Sequence, residues 1–262
     1  MRGILESWRR LRLGLAVALA AANPALADPI NGFSEQFAQP PEAGWHVAHY
    51  TFIHPAFDTD WSRKNLRFDQ GLHLSVTPQT SAENRFLGAS IRRETPSHYG
   101  RYEAVLHPAR GDGIVTGFFT YTGPHYGTRH DEIDIEFLGQ DTTQVQVAWF
   151  VDGHLRSRKI PLGFDAADHP RRYAFEWHPD RLRWFVEDTM IFEVTEAESP
   201  LPKEPGYLFA NLWAVDKSVA SWAGVAADGT SAQAYVGHMQ FAPLVTLTSS
   251  LQTTHTAAQS TP

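Results

Sequence analysis

The sequence contains no cysteine among its 262 residues. Disulfide bonds and thiolate metal sites are therefore excluded, and the fold must be stabilised by its core alone. Hydrophobic residues make up 42% of the chain, which suffices for a sizeable core in one large domain. Long segments with the 3.6-residue period of a helix are also missing, and so are internal repeats, which disfavours helical and repeat architectures.

An excess of positive charge is the second absence. The net charge of the whole chain is −7. Residues 1–27 hold four Arg and one Glu, a net charge of +3, so the remaining residues carry −10. A protein this acidic is poorly suited to bind nucleic acid or an anionic membrane. We therefore expect no nucleic-acid or membrane partner, and a neutral substrate fits better.

A hydrophobic run long enough to span a bilayer is absent as well. Three arginines between positions 9 and 12 precede a short apolar stretch, Leu13–Ala22, and Ala25–Ala27 has the small-x-small pattern of a cleavage site. These features predict a secretory signal peptide over residues 1–27 and a secreted or periplasmic protein. The alternative, a membrane anchor, is disfavoured because the apolar stretch is too short.

The rest of the chain is rich in short segments of β-branched and aromatic residues separated by Gly, Pro and Asp. Examples are Tyr99–Leu106, Val145–Val151 and Leu182–Val186, and a turn is predicted at Asp152-Gly153. Evenly spaced short strands and turns predict an all-β sandwich or barrel. We expect one domain over residues 28–243, followed by a disordered Ser/Thr-rich tail over residues 244–262.

One segment, Asp131–Leu138, carries three acids at alternate positions: Glu132, Asp134 and Glu136. In a β-strand these side chains share one face, while Ile and Phe residues occupy the other. Like charges on one sheet face repel one another, so the row contributes little to folding. A row that is unfavourable for stability and has no Lys or Arg within it is a candidate for chemistry.

Three interpretations of this row remain open from the residues themselves. It could be a solvated strand face, a divalent metal site, or the carboxylate pair of a glycosidase. The Cα atoms of Glu132 and Glu136 would lie about 13 Å apart along a straight strand. Retaining glycosidases place their carboxyl groups roughly 5–5.5 Å apart, so spacing alone does not favour the third interpretation.

Aromatic residues shift the balance towards a sugar-binding protein. The chain has 8 Trp, 8 Tyr and 16 Phe, and rings beside polar groups are typical of ligand pockets. Candidates for such a cleft are Tyr121, Asn211, Trp213 and Trp222. For each ring, packing in the core is the alternative interpretation.

The acidic row and its flanking blocks resemble glycoside hydrolase family 16, and within it the bacterial lichenase (endo-β-1,3-1,4-glucanase) type. The similarity extends over most of the chain from Phe33 to Phe241. The blocks occur in the family's order: Phe118–Pro124, His130–Gly139, Asp141–Gln146, Leu162–Asp165, Tyr173–Trp177, Arg183–Val186, Asn211–Trp213 and Ser221–Trp222.

The resemblance implies a bent two-sheet antiparallel jelly-roll sandwich of the concanavalin A-like kind, with a concave substrate cleft. It implies hydrolysis with retention, in which Glu132 is the nucleophile, Glu136 the general acid and base, and Asp134 an assisting residue. It also implies that six residues contact the glucan: Arg92, Tyr121, Gln146, Asn211, Trp213 and Trp222.

Several positions depart from the lichenase pattern. The two positions that match a frequent lichenase disulfide are Thr59 and Gly88. Ser90 and Ala148 stand where lichenases carry Glu and Asn near the sugar, and His130 replaces a Trp just before the acidic strand. These departures indicate an altered cleft and leave the linkage preference open.

No cofactor is expected from this pattern. Many relatives hold a structural calcium partly through a C-terminal Asp, but Gly237 matches that position, so we predict no metal site. The leading hypothesis is a secreted, monomeric endo-β-glucanase acting on a β-glucan. Alternatives are a glycanase that trims exopolysaccharide, a xyloglucan-type transglycosylase, and a non-catalytic carbohydrate-binding sandwich.

Overall fold

Alternating buried and exposed side chains produce two antiparallel sheets that share one core. The computed structural model describes residues 32–80 and 83–244. The predicted signal peptide, and the predicted tail beyond Leu244, lie outside the described residues. The strands are β1 (Phe33–Glu35), β2 (Trp45–Val47), β3 (Thr59–Trp61), β4 (Leu66–Phe68), β5 (Leu72–Pro78), β6 (Phe86–Arg93), β7 (Gly100–His107), β8 (Ile114–Thr122), β9 (Asp131–Leu138), β10 (Gln144–Val151), β11 (His154–Pro161), β12 (Arg171–Trp177), β13 (Arg181–Val186), β14 (Thr189–Thr195), β15 (Tyr207–Ala214) and β16 (Ala232–Pro243).

Helical structure in the described ranges is confined to short connections. Single 3-10 turns span Arg63–Asn65, Pro124–Tyr126 and Lys217–Val219, and the last leads into a four-residue helix, α1 (Ala220–Ala223). None of the helices in residues 32–80 and 83–244 is long and apolar enough to cross a membrane.

The inner sheet has the strand order β11-β10-β9-β8-β15-β6, with β2 added to β6. The outer sheet has the order β14-β13-β12-β7-β16-β5, with β1 on β16 and β4 on β5. The two sheets are hydrogen-bonded to each other where β5 pairs with β6, and β3 pairs with β6 in parallel. Strands distant in sequence are neighbours in both sheets, since β15 separates β8 from β6 and β16 separates β5 from β7. This arrangement confirms the predicted all-β jelly-roll sandwich.

The core between the sheets is made of large aromatic and aliphatic side chains. Burying one such side chain contributes about 1.5–3 kcal/mol. The indole Nε1 of Trp184, on β13, also donates a hydrogen bond to the Asp134 carbonyl oxygen on β9 at 3.0 Å. The outer sheet therefore fixes the position of the strand that carries the acidic row. The largest fully buried side chains include Trp177, Trp184, Tyr102, Tyr173, Phe37, Phe86, Phe118, Phe137 and Phe175.

The turn predicted at Asp152-Gly153 joins β10 and β11. Both residues have positive φ, 50° for Asp152 and 74° for Gly153. A two-residue hairpin loop with positive φ at both positions matches the twist of the strands it joins. This turn brings β11 alongside β10 at the edge of the inner sheet.

The positions that match the lichenase disulfide lie side by side. A Cβ placed on Gly88 would come within 2.5 Å of the Thr59 methyl group. The Thr59 hydroxyl is fully buried, donates to the Ala214 carbonyl at 2.9 Å and accepts from the Ala214 N–H at 2.8 Å. Hydrogen bonds from one hydroxyl thus join β3 to β15 at a place where no disulfide can form.

Replacing Thr59 with Val should lower the free energy of unfolding by about 1–3 kcal/mol, because the buried Ala214 N–H loses its acceptor. Thr59→Ser keeps the hydroxyl and should lose only about 0.8 kcal/mol, the contribution of one buried methyl group. Urea unfolding of both variants measures the difference. Equal destabilisation by Val and Ser would contradict the assigned role of the hydroxyl.

Candidate active site

The strand β9 carries the acidic row on one face and core residues on the other. Ile133, Ile135 and Phe137 are buried in the core. The face that carries Glu132, Asp134 and Glu136 lines a cleft of about 950 Å³ on the inner sheet. The alternation predicted from the sequence is confirmed, and it places all three carboxyl groups in one cavity.

Strands β8 and β10 flank β9 and surround each acid with a defined pair of neighbours. Their register places aromatic rings beside Glu132 and small or amide side chains beside Glu136. The pairs are Tyr121 and Phe150 for Glu132, Phe119 and Ala148 for Asp134, and Gly117 and Gln146 for Glu136.

Asp134 occupies the centre of the row and is 3% exposed. Burial raises the pKa of its carboxyl well above the usual range, and the charges of Glu132 and Glu136 raise it further. A carboxyl with a raised pKa retains its proton and can donate a hydrogen bond. Asp134 shares such a hydrogen bond with Glu132. A neutral Asp134 is therefore suited to hold an ionised Glu132.

Glu136 is tuned differently. Burial, followed by the charge of Glu132, raises the pKa of Glu136 to about 7. Burial is the larger cause of this rise, and the repulsion comes from Glu132 rather than from Asp134. A carboxyl group with this pKa can both give and take a proton near neutral pH. Glu136 therefore has the property required of a general acid and base.

Gln146 connects Glu136 to the far wall of the cleft. Its Nε2 donates to Oε2 of Glu136 at 2.8 Å, and its Oε1 accepts from the indole Nε1 of Trp222 at 2.9 Å. The first hydrogen bond favours the ionised form and so lowers the pKa of Glu136. Gln146 thus contacts Glu136 directly, and Trp222 holds the Gln146 amide in place.

The other predicted substrate contacts are distributed around the row. Asn211 and Trp213, on β15, line the same cleft as the acids. Tyr121 lies opposite Glu132 on β8, and burial raises the pKa of its hydroxyl above the usual range. Arg92 is not among the residues lining the cleft. Its guanidinium lies over the rings of Tyr207, at 5.2 Å, and Tyr126, at 5.7 Å.

Several cleft residues were missed by sequence reasoning. Phe57 stacks on Trp213 with ring centroids 3.8 Å apart, and Phe119 stacks on Phe209 at 4.9 Å. Alternation along β8 could have found Phe119, because it occupies the same strand face as Tyr121. Phe57 comes from the segment before β3 and had no such signal.

A polar atom aimed at the cleft floor has no partner within the described part of the chain. Oδ1 of Asn211 is buried and makes no hydrogen bond to the described residues. It lies close to Gly117, where a Cβ would approach it to 2.6 Å. A buried acceptor without a donor is unfavourable.

The position that would contribute to a calcium site in relatives lacks a suitable ligand. Gly237 lies within β16 and offers no side-chain oxygen, and Ca²⁺ is held by carboxylate and carbonyl oxygens. No group of three or more His, Asp or Glu side chains in residues 32–80 and 83–244 is placed to hold a metal ion. The residues present at this position therefore do not fit the calcium site of the relatives.

Comparison with known proteins identifies the family. The model for "Glycosyl hydrolases family 16" matches residues 53–233, which include the acidic row and all six predicted contact residues. The chain belongs to glycosyl hydrolase family 16. It is therefore a glycoside hydrolase.

Relatives within family 16 match nearly the whole domain. A "Beta-glucanase" from Paenibacillus polymyxa is 36% identical over 220 residues, which cover 84% of this chain and 90% of the relative. A "Beta-glucanase" from Bacillus subtilis (strain 168) is 36% identical over 214 residues, covering 80% and 84%. Both alignments span far more than the acidic strand.

Solved structures show the same fold. A prokaryotic β-1,3-1,4-glucanase (lichenase) derived from a mouse hindgut metagenome superposes with a TM-score of 0.78 at 32% identity, covering 82% of this chain and 100% of that one. The Bacillus licheniformis β-glucanase gives a TM-score of 0.74 at 34% identity, covering 80% and 97%.

The state of Glu136 predicts the basic limb of the pH–rate profile. A general acid must be protonated, so kcat/KM should fall as the pH rises through about 7. Gln146→Met removes the N–H donor that favours ionised Glu136, so this limb should move to higher pH. Initial rates from pH 4 to 9 measure the shift.

The matched control for this experiment is Gln144→Met. Gln144 begins the same strand, but its amide donates to Asp141 on the surface and does not reach the acids. The control should keep the wild-type profile. A basic limb that stays in place in Gln146→Met would contradict the contact assigned to Gln146.

Proposed function

We propose that this family 16 protein is a secreted endo-acting β-glucanase that cleaves β-1,3-1,4-glucan or a related β-glucan with retention. The observation that carries the proposal is the row of Glu132, Asp134 and Glu136 in an aromatic cleft, in which Asp134 is buried and the charges of the three acids act on one another. The relatives named beta-glucanase and the similar lichenase structure support the choice of substrate.

In the first step Glu132 attacks the anomeric carbon and forms a covalent bond to it. The glycosidic C–O bond breaks, and Glu136 gives its proton to the departing oxygen. In the second step Glu136 takes a proton from water, whose oxygen attacks the same carbon and displaces Glu132. Attack from opposite faces in the two steps retains the β-configuration.

The state of each acid supports this division of roles. Glu132 must be ionised to attack, and it shares a hydrogen bond with Asp134, whose own pKa is raised by burial. Glu136 must be protonated first and ionised later, which a pKa of about 7 permits. Strand geometry separates their Cα atoms by about 13 Å. Both side chains nevertheless line one cleft, and the charge of Glu132 acts on Glu136.

Endo action is supported by the form of the cleft. Aromatic rings flank the row on both sides, with Phe150 on β10 and Phe119 and Trp213 on β8 and β15. Sugar faces pack on such rings, so a chain can be held on either side of the bond to be cleaved. An enzyme that removed terminal units would need a cleft closed at one end.

Two departures from the lichenase pattern bear on the exact glucan. Ser90 lies opposite Asn211, and Ala148 lies opposite Asp134, both on strands that flank the site. Each is smaller than the lichenase residue it replaces, so the floor has fewer polar groups to orient the sugar. Because this difference bears on which glucan is preferred, the test is parallel digestion of lichenan, laminarin, xyloglucan and a bacterial exopolysaccharide.

We expect lichenan to be cleaved best, with viscosity falling well before reducing ends accumulate. Linkage analysis of the products identifies the bond that is cut, and added acceptor sugar separates transfer from hydrolysis. Preferential cleavage of the exopolysaccharide would replace the proposed substrate. If xyloglucan were turned over only with added acceptor, the protein would be a transglycosylase and not a hydrolase. If it bound a glycan but cleaved none, it would be a non-catalytic carbohydrate-binding protein.

Glu132→Ala should reduce hydrolysis by a factor of about 10⁴ or more, because it removes the nucleophile. With an activated aryl glycoside, azide added to this variant should give the α-glycosyl azide. Glu136→Ala with azide should instead give the β-glycosyl azide, formed from the covalent intermediate. NMR of the two products distinguishes them. The same anomer from both variants would contradict the assignment of nucleophile and acid.

Secretion is a separate part of the proposal, and it is supported by the N-terminal sequence. Expression of the full chain in a Gram-negative host, followed by fractionation and N-terminal sequencing, tests it. We expect the mature protein to begin at Asp28 outside the cytoplasm. An uncleaved chain that stays in the cytoplasm would contradict the predicted signal peptide.

A further inference from the structure

His130 precedes the acidic strand by one residue and touches its first glutamate. Its Nε2 lies 2.5 Å from Oε2 of Glu132. Both side chains are largely shielded, with 19% of His130 and 16% of Glu132 exposed. A short hydrogen bond to an ionised group in a shielded position is stronger than one between neutral groups.

Neighbouring rings fix the plane of the imidazole. It stacks on Phe150 with centroids 4.6 Å apart and planes inclined by 17°. Tyr121 packs against it edge-on, with centroids 5.1 Å apart. The backbone is held as well, because the His130 carbonyl accepts a hydrogen bond from the Gly153 N–H at 2.9 Å. Nε2 therefore points at Glu132 in a prearranged position.

We propose that His130 is a positioning residue for Glu132, donating a hydrogen bond from Nε2 that holds the carboxylate in the orientation of attack. This inference rests on the proposed function, in which Glu132 is the nucleophile. It goes beyond the family pattern, because a Trp stands at this position in the lichenases that the sequence resembles. A Trp cannot change its charge, whereas an imidazole can.

Glu132 then receives two hydrogen bonds of different origin. Asp134 supplies one from within β9, through a carboxyl kept neutral by burial. His130 supplies the other from the turn that leads into the strand. Fixing a nucleophile in the orientation of attack lowers the barrier by avoiding reorganisation during the reaction. We infer that loss of either donor lowers kcat more than it raises KM.

Other titratable groups face this pair and contribute to its pH dependence. They are Asp134 and Glu136 on β9, Tyr121 on β8, and His54 from the segment before β3. Burial lowers the pKa of His54, the charge of Glu132 raises it and His130 lowers it, which places His54 within electrostatic reach of both partners. None of these groups changes in the variants below, so differences between variants report on His130.

The test compares His130→Phe with His130→Gln. Phe keeps a ring against Phe150 but has no donor, whereas Gln keeps an N–H donor without the ring. For His130→Phe we expect kcat on lichenan to fall about tenfold, equivalent to one hydrogen bond to a charged group. KM should change less than about twofold, and the acidic limb of kcat/KM should move to higher pH. His130→Gln should recover most of the rate.

The matched control is His178→Phe, in the connection between β12 and β13 of the outer sheet. His178 and Glu176 form another histidine–glutamate contact two residues apart, with Nε2 and Oε2 separated by 3.3 Å, at a distance from the cleft strands. Its loss should leave kcat, KM and the pH profile unchanged. Thermal unfolding of all variants checks that each remains folded.

A substrate-free measurement separates this inference from the proposed function. With ¹³C-labelled glutamate, NMR follows the titration of the Glu132 carboxyl in the free enzyme, assigned by its absence in Glu132→Ala. His130→Phe should raise the midpoint, and His130→Gln should move it back towards that of the wild type. A wild type that cleaves none of the glycans would overturn the proposed function while this titration still tests the contact. An unchanged midpoint, or a folded His130→Phe enzyme with unaltered kcat and acidic limb, would overturn the inference.

Discussion

The burial of one face of β9 is the constraint on which the rest of the site depends. Ile133, Ile135 and Phe137 each gain about 1.5–3 kcal/mol by entering the core. Repulsion between neighbouring like charges on a sheet amounts to about 0.2–1 kcal/mol per pair. Hydrophobic burial therefore outweighs the repulsion, and the strand turns its carboxyl groups into the cleft. The hydrogen bond from Trp184 to Asp134 then ties this strand to the opposite sheet.

The three acids, once held together, cannot titrate independently. Burial keeps a proton on Asp134, and the charge of Glu132 acts on both other acids. Gln146 opposes the rise at Glu136, while His130 contacts Glu132 from the other end. The site is therefore a set of interacting groups with graded proton affinities. The surrounding rings exclude water and strengthen each of these interactions.

Prediction from the sequence succeeded where local periodicity carries the information. The strand bearing Glu132 and Glu136 was predicted residue by residue, because alternation in β9 is strict, and the Asp152-Gly153 hairpin had unambiguous turn chemistry. The register between strands, and contacts between segments distant in sequence, could not be predicted from local periodicity. The pairing of Phe57 with Trp213, and burial as the main cause of the raised pKa of Glu136, follow only from the three-dimensional packing.

The Thr59 hydroxyl makes the link between β3 and β15 independent of the redox state of the medium in which the protein folds. It joins β3 to Ala214 by hydrogen bonds, at a position that matches a frequent disulfide of the lichenases that the sequence resembles. Hydrogen bonds form without an oxidant, and the chain has no thiol to mispair. Its stability should therefore be the same in glutathione-rich cytosol as in an oxidising medium, and its refolding should need neither a redox buffer nor a disulfide isomerase.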